Sequence, residues 1–262
     1  MKKLALVLGG GAAKGYAHVG VLKTLEKNGI KPDLIVGTSM GALVGGMYAA
    51  GKTPDEMINL AKKFNSLGSF SLFSTLFKGN ILNIDKVKKI LIQHLGDMKH
   101  DEAQLPFVSV VTELNTGKEC HFDKGLIRDS IMASISIPGL FPSLKIGENQ
   151  YCDGGMVNNL PEDVAKELMP DAVIVSIDVI GDYAKQVEKL KMKTVETLIN
   201  AATLMTSNVI KNKPIRADLR ITIPTSQISQ LDFTSETAQK SIKKGEMYTK
   251  KFVQAIKQLL GE

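Results

Sequence analysis

The apolar run Leu4–Leu8 ends on three consecutive glycines, Gly9, Gly10 and Gly11. Apolar residues in sequence without polar alternation suit a strand buried on both faces. Such strands belong to parallel sheets covered by helices on each side. The rest of the chain repeats the pattern. Residues 33–36, Phe107–Glu113, Glu119–Phe122, 173–179 and 219–223 read as further strands. A helix is expected from about Lys14, with Val21, Leu22 and Leu25 on one face, stopping near Asn28 and Gly29. Residues 40–50 are small or apolar on all sides, as a helix in the domain centre would be, and Gly51 follows. Thr53, Pro54, Asp55 and Glu56 form a capping box with proline at the first helical position, so a helix runs on to about Phe64. Ile84–Leu95 and residues 194–211 and 234–260 complete the helices. Strands alternating with helices give an α/β class, a three-layer α/β/α fold around a largely parallel central sheet. Residues 65–83 break the period. They mix Gly, Ser, Phe70, Phe73 and Phe77, and read as a lid or binding loop.

The composition removes several functional classes. No apolar stretch in the 262 residues approaches the roughly 20 needed to cross a bilayer as a helix. The start, Met1-Lys2-Lys3-Leu4, imitates a signal peptide, but its apolar stretch breaks at Gly9, so the expected location is cytoplasmic. Cys120 and Cys152 are the two cysteines, too few for a disulfide framework or a four-cysteine zinc site. The net charge of +6 comes almost entirely from lysine: the arginines are Arg128, Arg216 and Arg220, and tryptophan is absent. Base-edge readout leans on arginine, and single-strand binding on stacked aromatics. Nucleic acid is thereby disfavoured as a partner, while peripheral contact with an anionic membrane stays open.

Chemistry concentrates in three short segments. Gly37-Thr38-Ser39-Met40-Gly41 is a Gly-x-Ser-x-Gly nucleophile elbow in the context it requires, after a strand and opening a helix. The sharp turn exposes the serine hydroxyl, and the helix N-terminus favours negative charge developing beside it. The histidines are His18, His94, His100 and His121, and none follows Asp153. A Ser…Asp…His order is thereby excluded, and a carboxylate acting directly as base is left. Asp153, ahead of Gly154 and Gly155, is the best candidate. The Gly9–Gly15 loop matches neither a P-loop, which needs Lys and then Ser or Thr after the second glycine where Gly15 is followed by Tyr16, nor a dinucleotide site, which needs an acid at the end of the second strand. An oxyanion hole at the same sheet edge as the serine fits better.

Taken together, the Gly-rich loop, Gly-x-Ser-x-Gly and Asp-Gly-Gly, in this order and without a following histidine, resemble the patatin-like phospholipases. Residues 4–22 (LALVLGGGAAKGYAHVGVL), 134–142 (SISIPGLFP) and 218–224 closely follow bacterial members. The resemblance is strongest over 4–160 and implies one domain over 1–262, completed by 161–262. It implies a Ser–Asp dyad with Ser39 as nucleophile and Asp153 as base. The N–H groups of Gly10, Gly11 and Ala12 would form the oxyanion hole, with Lys14, Gly15, Gly37, Gly41, Gly154 and Gly155 supporting. The implied reaction is hydrolysis of a lipid or other carboxylic ester, with no metal and no cofactor. The chain departs from the family with Lys14 in place of the usual arginine, keeping the charge without the planar fork. It also has Ala12 where glycine is frequent, and an alanine there is expected in dihedrals open to a Cβ. The rival expectations are a non-catalytic regulatory or adaptor protein keeping the fold and, less well supported, a nucleotide-binding protein.

Other residues invite plainer readings. His121 beside Cys120 matches no zinc spacing and reads as a strand-surface residue. The methionines, Met192, Met205 and Met247 among them, read as core filler. Lys240, Lys243, Lys244, Lys250 and Lys251 read as a solvated helix face.

Overall fold

The computed structural model describes residues 1–66, 84–181 and 194–262. Its strands are β1 (Leu4–Leu8), β2 (Leu34–Thr38), β3 (Phe107–Glu113), β4 (Glu119–Phe122), β5 (Leu144–Ile146), β6 (Asn149–Asp153), β7 (Val173–Asp178) and β8 (Leu219–Thr222). Its α-helices are α1 (Ala17–Lys27), α2 (Met40–Ala49), α3 (Pro54–Ser66), α4 (Ile84–Leu95), α5 (Ile127–Ser134), α6 (Glu162–Leu168), α7 (Thr194–Asn212), α8 (Ser235–Lys250) and α9 (Val253–Leu260). A 3₁₀ turn, Ala12–Tyr16, joins the glycine run to α1.

The expected three-layer, mostly parallel architecture is present. β3, β2, β1, β7 and β8 are parallel neighbours in that order. Side chains alternate across the pleat and fill two cores. Leu4, Leu6 and Leu8 join the larger one with residues of α1–α5, α8 and α9. Ala5 and Val7 join Val164, Ala165 and Ile210 of α6 and α7 in the smaller one, beneath the sheet. Both faces of β1 are therefore dry, and all five of its residues are buried.

The antiparallel part of the sheet decides where the site forms. Val110 pairs with Thr38 of β2 and His121 of β4, while Val111 pairs with Cys120 of β4 and Asp153 of β6. β4 thus holds one edge of β3, and β2 and β6 share the other end to end. A strand residue has only two flanks, so β6 begins its pairing where β2 leaves off.

The capping box at Thr53 forms as expected, with Thr53 N–H on Glu56 Oε2 (2.8 Å) and Glu56 N–H on Thr53 Oγ1 (3.2 Å). Four elements lie outside the sequence expectation: α5, the β5–β6 hairpin and α6. The C-terminal helix also differs, breaking at Lys251 and Phe252 into α8 and α9. α3 takes in Asn65 and Ser66. The remainder of the expected 65–83 loop, with Phe70, Phe73 and Phe77, lies outside the described residues, as does Met192. Of the methionines expected in the core, Met205 and Met247 are 67% and 50% exposed. No helix among the described residues is long and apolar enough to cross a membrane.

Candidate active site

Ser39 sits between β2 and α2 with φ 53° and ψ −122°, a conformation that costs a non-glycine residue about 1–3 kcal/mol and persists only where the surroundings enforce it. Those surroundings are specific. The Ser39 N–H donates to Ser134 Oγ (2.9 Å), which in turn donates to the Val110 carbonyl (2.7 Å). The neighbouring Thr38 hydroxyl donates to the Asn158 carbonyl (2.8 Å). α2 presses so near β1 that a Cβ on Gly41 would collide with the Leu8 carbonyl, so only glycine lets the helix start there.

The end-to-end meeting of β2 and β6 brings Asp153 to the elbow. Ser39 Oγ donates to Asp153 Oδ2 at 2.6 Å, and both residues are buried, 6% and 5% exposed. Asp153 Oδ1 accepts the Gly155 N–H at 2.7 Å. The Asp153 backbone is held as well, its N–H on the Ser136 carbonyl (3.0 Å) and its carbonyl accepting the Thr112 hydroxyl (2.9 Å). Burial pushes the Asp153 carboxyl up to about 6, against the opposing pull of the Ser39 and Gly155 hydrogen bonds. The carboxylate is thus poised near neutrality and already in contact with the hydroxyl proton it would accept.

The glycine loop faces the same hydroxyl: a Cβ added to Gly10 would lie 3.1 Å from the Ser39 Cβ. Its donors are not equivalent. The expected Gly10 donor is engaged elsewhere, since the Gly10 N–H donates to the Asn159 carbonyl at 3.0 Å. Ala13 and Lys14 N–H groups are also taken, by Gln230 and Gly11 carbonyls at 3.0 Å each. The Gly11 and Ala12 N–H groups have no hydrogen-bond partner among the described residues. Ala12 also departs from expectation. Its φ is +47°, in the left-handed region, so it carries the strain that a glycine would avoid.

Lys14 is buried beneath this loop at 2% exposure. Burial lowers its ammonium to about 8, with Asp178 pulling the other way. It therefore supports the loop from within and does not present its charge to solvent. His121 is on the surface of β4 as expected, with Nε2 2.8 Å from Glu119 Oε1. The lysine face of α8 is occupied by surface contacts. Lys240 pairs with Glu236 (2.6 Å), Lys244 donates to the Pro224 carbonyl (2.7 Å), and Lys251 lies 4.4 Å from the Tyr248 ring centroid.

Beside Ser39 opens an apolar cavity of about 160 Å³. Met40, Leu43, Val44 and Met47 line it from one face of α2, at the i, i+3, i+4, i+7 spacing of a helix stripe. Met57 and Leu60 of α3 and Ile90 and Leu91 of α4 form the far side. Ile135, Ile137 and Phe141 come from the 134–142 segment, to which the sequence reading gave no task beyond family likeness. Sequence reasoning also missed Asn159, whose place in the glycine loop has no motif signature.

A family model described as patatin-like phospholipase matches residues 6–166. The chain belongs to the patatin-like phospholipase family. An uncharacterized NTE family protein of Mycobacterium tuberculosis is 34% identical over 160 residues, 61% of this chain and 44% of that protein. Lysophospholipase nte1 of Aspergillus fumigatus is 34% identical over 192 residues, 71% of this chain and 12% of that protein. The chain thus spans less than half the length of these relatives. The crystal structure of VipD from Legionella pneumophila aligns with a TM-score of 0.58 and 14% identity, over 97% of this chain and 67% of that one. At that identity the likeness is one of fold.

Proposed function

We propose that this patatin-like domain, spanning residues 1–262, is a serine acyl hydrolase that cleaves carboxylic esters of lipids, with Ser39 as nucleophile and Asp153 as base. The observation that carries the reading is the 2.6 Å hydrogen bond from a strained, buried serine to a carboxylate held near pKa 6, at the mouth of an apolar cavity. A scaffold protein gains nothing from that strain or from a buried carboxyl with a raised pKa.

In the first step Ser39 Oγ bonds to the ester carbonyl carbon while its proton passes to Asp153. The carbonyl oxygen becomes an oxyanion and accepts the Gly11 and Ala12 N–H groups, beside the positive end of α2. Collapse breaks the bond to the alcohol, which leaves with the proton from Asp153. Water then attacks the acyl-enzyme, gives its proton to Asp153, and releases the fatty acid as Ser39 recovers a proton. The acyl chain lies along the α2 stripe, and the head group stays outside because the cavity wall offers it no charged side chain and no hydrogen-bonding one beyond Ser39 and Tyr16.

The test is intact-mass spectrometry after exposure to a lipid-like fluorophosphonate. We expect one adduct on the wild type, mapped to Ser39, none on Ser39→Ala, and slow labelling of Asp153→Asn. A wild type that stays unlabelled with detergent or vesicles present overturns the hydrolase reading in favour of an adaptor that keeps the fold.

A further inference from the structure

We propose that Asn159 is a positioning residue that sets the direction of the oxyanion donors, with His18 as its counterpart on the preceding peptide. The inference rests on the hydrolase reading above and adds to it the device that keeps the glycine loop in its working orientation.

The argument starts from the planarity of the peptide. In a trans unit the C=O and the following N–H point in opposite directions, so whatever grips the oxygen also aims the next N–H. Three successive units of the loop are gripped in this way. The Gly9 carbonyl accepts His18 Nε2–H at 2.7 Å, and the Gly10 N–H on the other end of that unit donates to the Asn159 carbonyl. The Gly10 carbonyl accepts Asn159 Nδ2–H at 3.1 Å, which turns the Gly11 N–H the other way and leaves it open. The Gly11 carbonyl accepts the Lys14 N–H, which leaves the Ala12 N–H open. Asn159 therefore pairs with both backbone groups of Gly10, and its side chain is the group that faces the Gly10–Gly11 unit.

Both grips are built to hold. Asn159 and His18 are 5% and 0% exposed. Burial lowers the His18 imidazole to about 4, so the ring is neutral and donates from Nε2, while Nδ1 has no partner among the described residues. Glycine offers no Cβ to resist a peptide flip, so without these side chains the donors would turn at little steric cost. Residues 153–159 thus reach the site three times. Asp153 meets Ser39, the Asn158 carbonyl holds Thr38, and Asn159 holds the glycine loop.

The test compares wild type with Asn159→Ala and the isosteric Asn159→Asp on a p-nitrophenyl ester and on its thiono analogue, whose C=S makes poor use of amide donors. We expect kcat on the oxygen ester to fall about 10- to 100-fold with KM within twofold. The thiono rate should change far less, so the oxygen-to-sulfur rate ratio collapses. Peptide-level hydrogen exchange is run in parallel. Residues 9–14 should exchange several-fold faster in both variants, with β1 and β7 unchanged. An unchanged ratio, or loop exchange equal to that of wild type, overturns the proposal. A wild type inactive on both esters overturns the hydrolase reading instead, and the loop exchange still decides whether Asn159 grips Gly10.

Discussion

Thr38 and Asp153 pair with adjacent residues, Val110 and Val111, on the same edge of β3. β2 turns away from that edge to form the nucleophile elbow, and β6 arrives from the opposite direction to fill the place. The Ser39–Asp153 distance is therefore set by the register of one seam, and a slip of one residue in β6 would turn Asp153 to the other face of the sheet. Gly154 is where this seam is tightest, because a Cβ there would run into the Val110 carbonyl. Gly154→Ala should push the end of β6 outward and slow fluorophosphonate labelling of Ser39 by about tenfold or more, since small misplacements at a reacting centre have large effects on rate. Circular dichroism should stay native. Labelling at the wild-type rate would show that the dyad does not depend on the seam.

The pH dependence of the reaction follows from Asp153. As base it must be ionised, and burial holds its carboxyl at about 6. The rate of single-turnover acylation should rise with pH through an apparent pKa of about 6 and level off above 7. A profile already flat at pH 5 would exclude Asp153 as the proton acceptor.

The same shift makes a stability prediction of opposite sense. A folded-state value above the unfolded 3.8 means that the native protein binds this proton more tightly than the unfolded chain. Its contribution is complete below pH 3.8 and is lost as pH rises through about 6, a swing of about 3 kcal/mol. Asp153→Asn carries no such charge. Its Tm relative to wild type should climb by several degrees between pH 4 and pH 7 while its activity is lost. A Tm difference that ignores pH would remove the buried-charge cost from the account.

Ala12 carries strain that one substitution can relieve. With φ at +47°, replacing its Cβ by hydrogen should stabilise the fold, and Ala12→Gly is expected to gain about 1 kcal/mol by urea denaturation. Its N–H survives, so Ser39 labelling should stay within twofold. Ala12→Val, β-branched in the same conformation, should lose both stability and labelling. Equal stability for all three proteins would mean that the loop relaxes around the side chain.

What was legible in the sequence was local. Leu4–Leu8, the elbow around Ser39 and the Thr53 cap each signal themselves within a few residues, by an apolar run, a glycine spacing or a capping box. What was not legible depends on partners far along the chain. β5 and β6 are short and partly exposed; β6 pairs where β2 vacates the edge of β3, and β5 pairs in turn with β6. The resemblance implied Gly10 as a donor, but which loop N–H groups remain free is decided by Asn159, 149 residues away, whose contact with Gly10 no spacing rule encodes. Ala12 was expected in dihedrals open to a Cβ, but it takes φ +47° in a loop whose next N–H, that of Ala13, donates to the distant Gln230 carbonyl. The break in the C-terminal helix at Lys251 and Phe252 has neither proline nor glycine to mark it.

The stripe on α2 gives a graded test of where the acyl chain lies. Val44 and Met47 line the cavity five and eight residues beyond Ser39, which at 1.5 Å per residue places them about 7.5 and 12 Å along the helix. A tryptophan at either position fills part of a cavity of about 160 Å³. Val44→Trp should restrict turnover to shorter p-nitrophenyl esters than Met47→Trp does, while the shortest ester is cleaved at near wild-type rates by both. Chain-length profiles measured from butyrate to palmitate decide the matter. If both variants keep the wild-type profile, the chain takes a route other than the α2 stripe. If both lose even the butyrate, the substitutions have disturbed the elbow, and smaller replacements such as Val44→Phe would then have to recover the graded order for the assignment to stand.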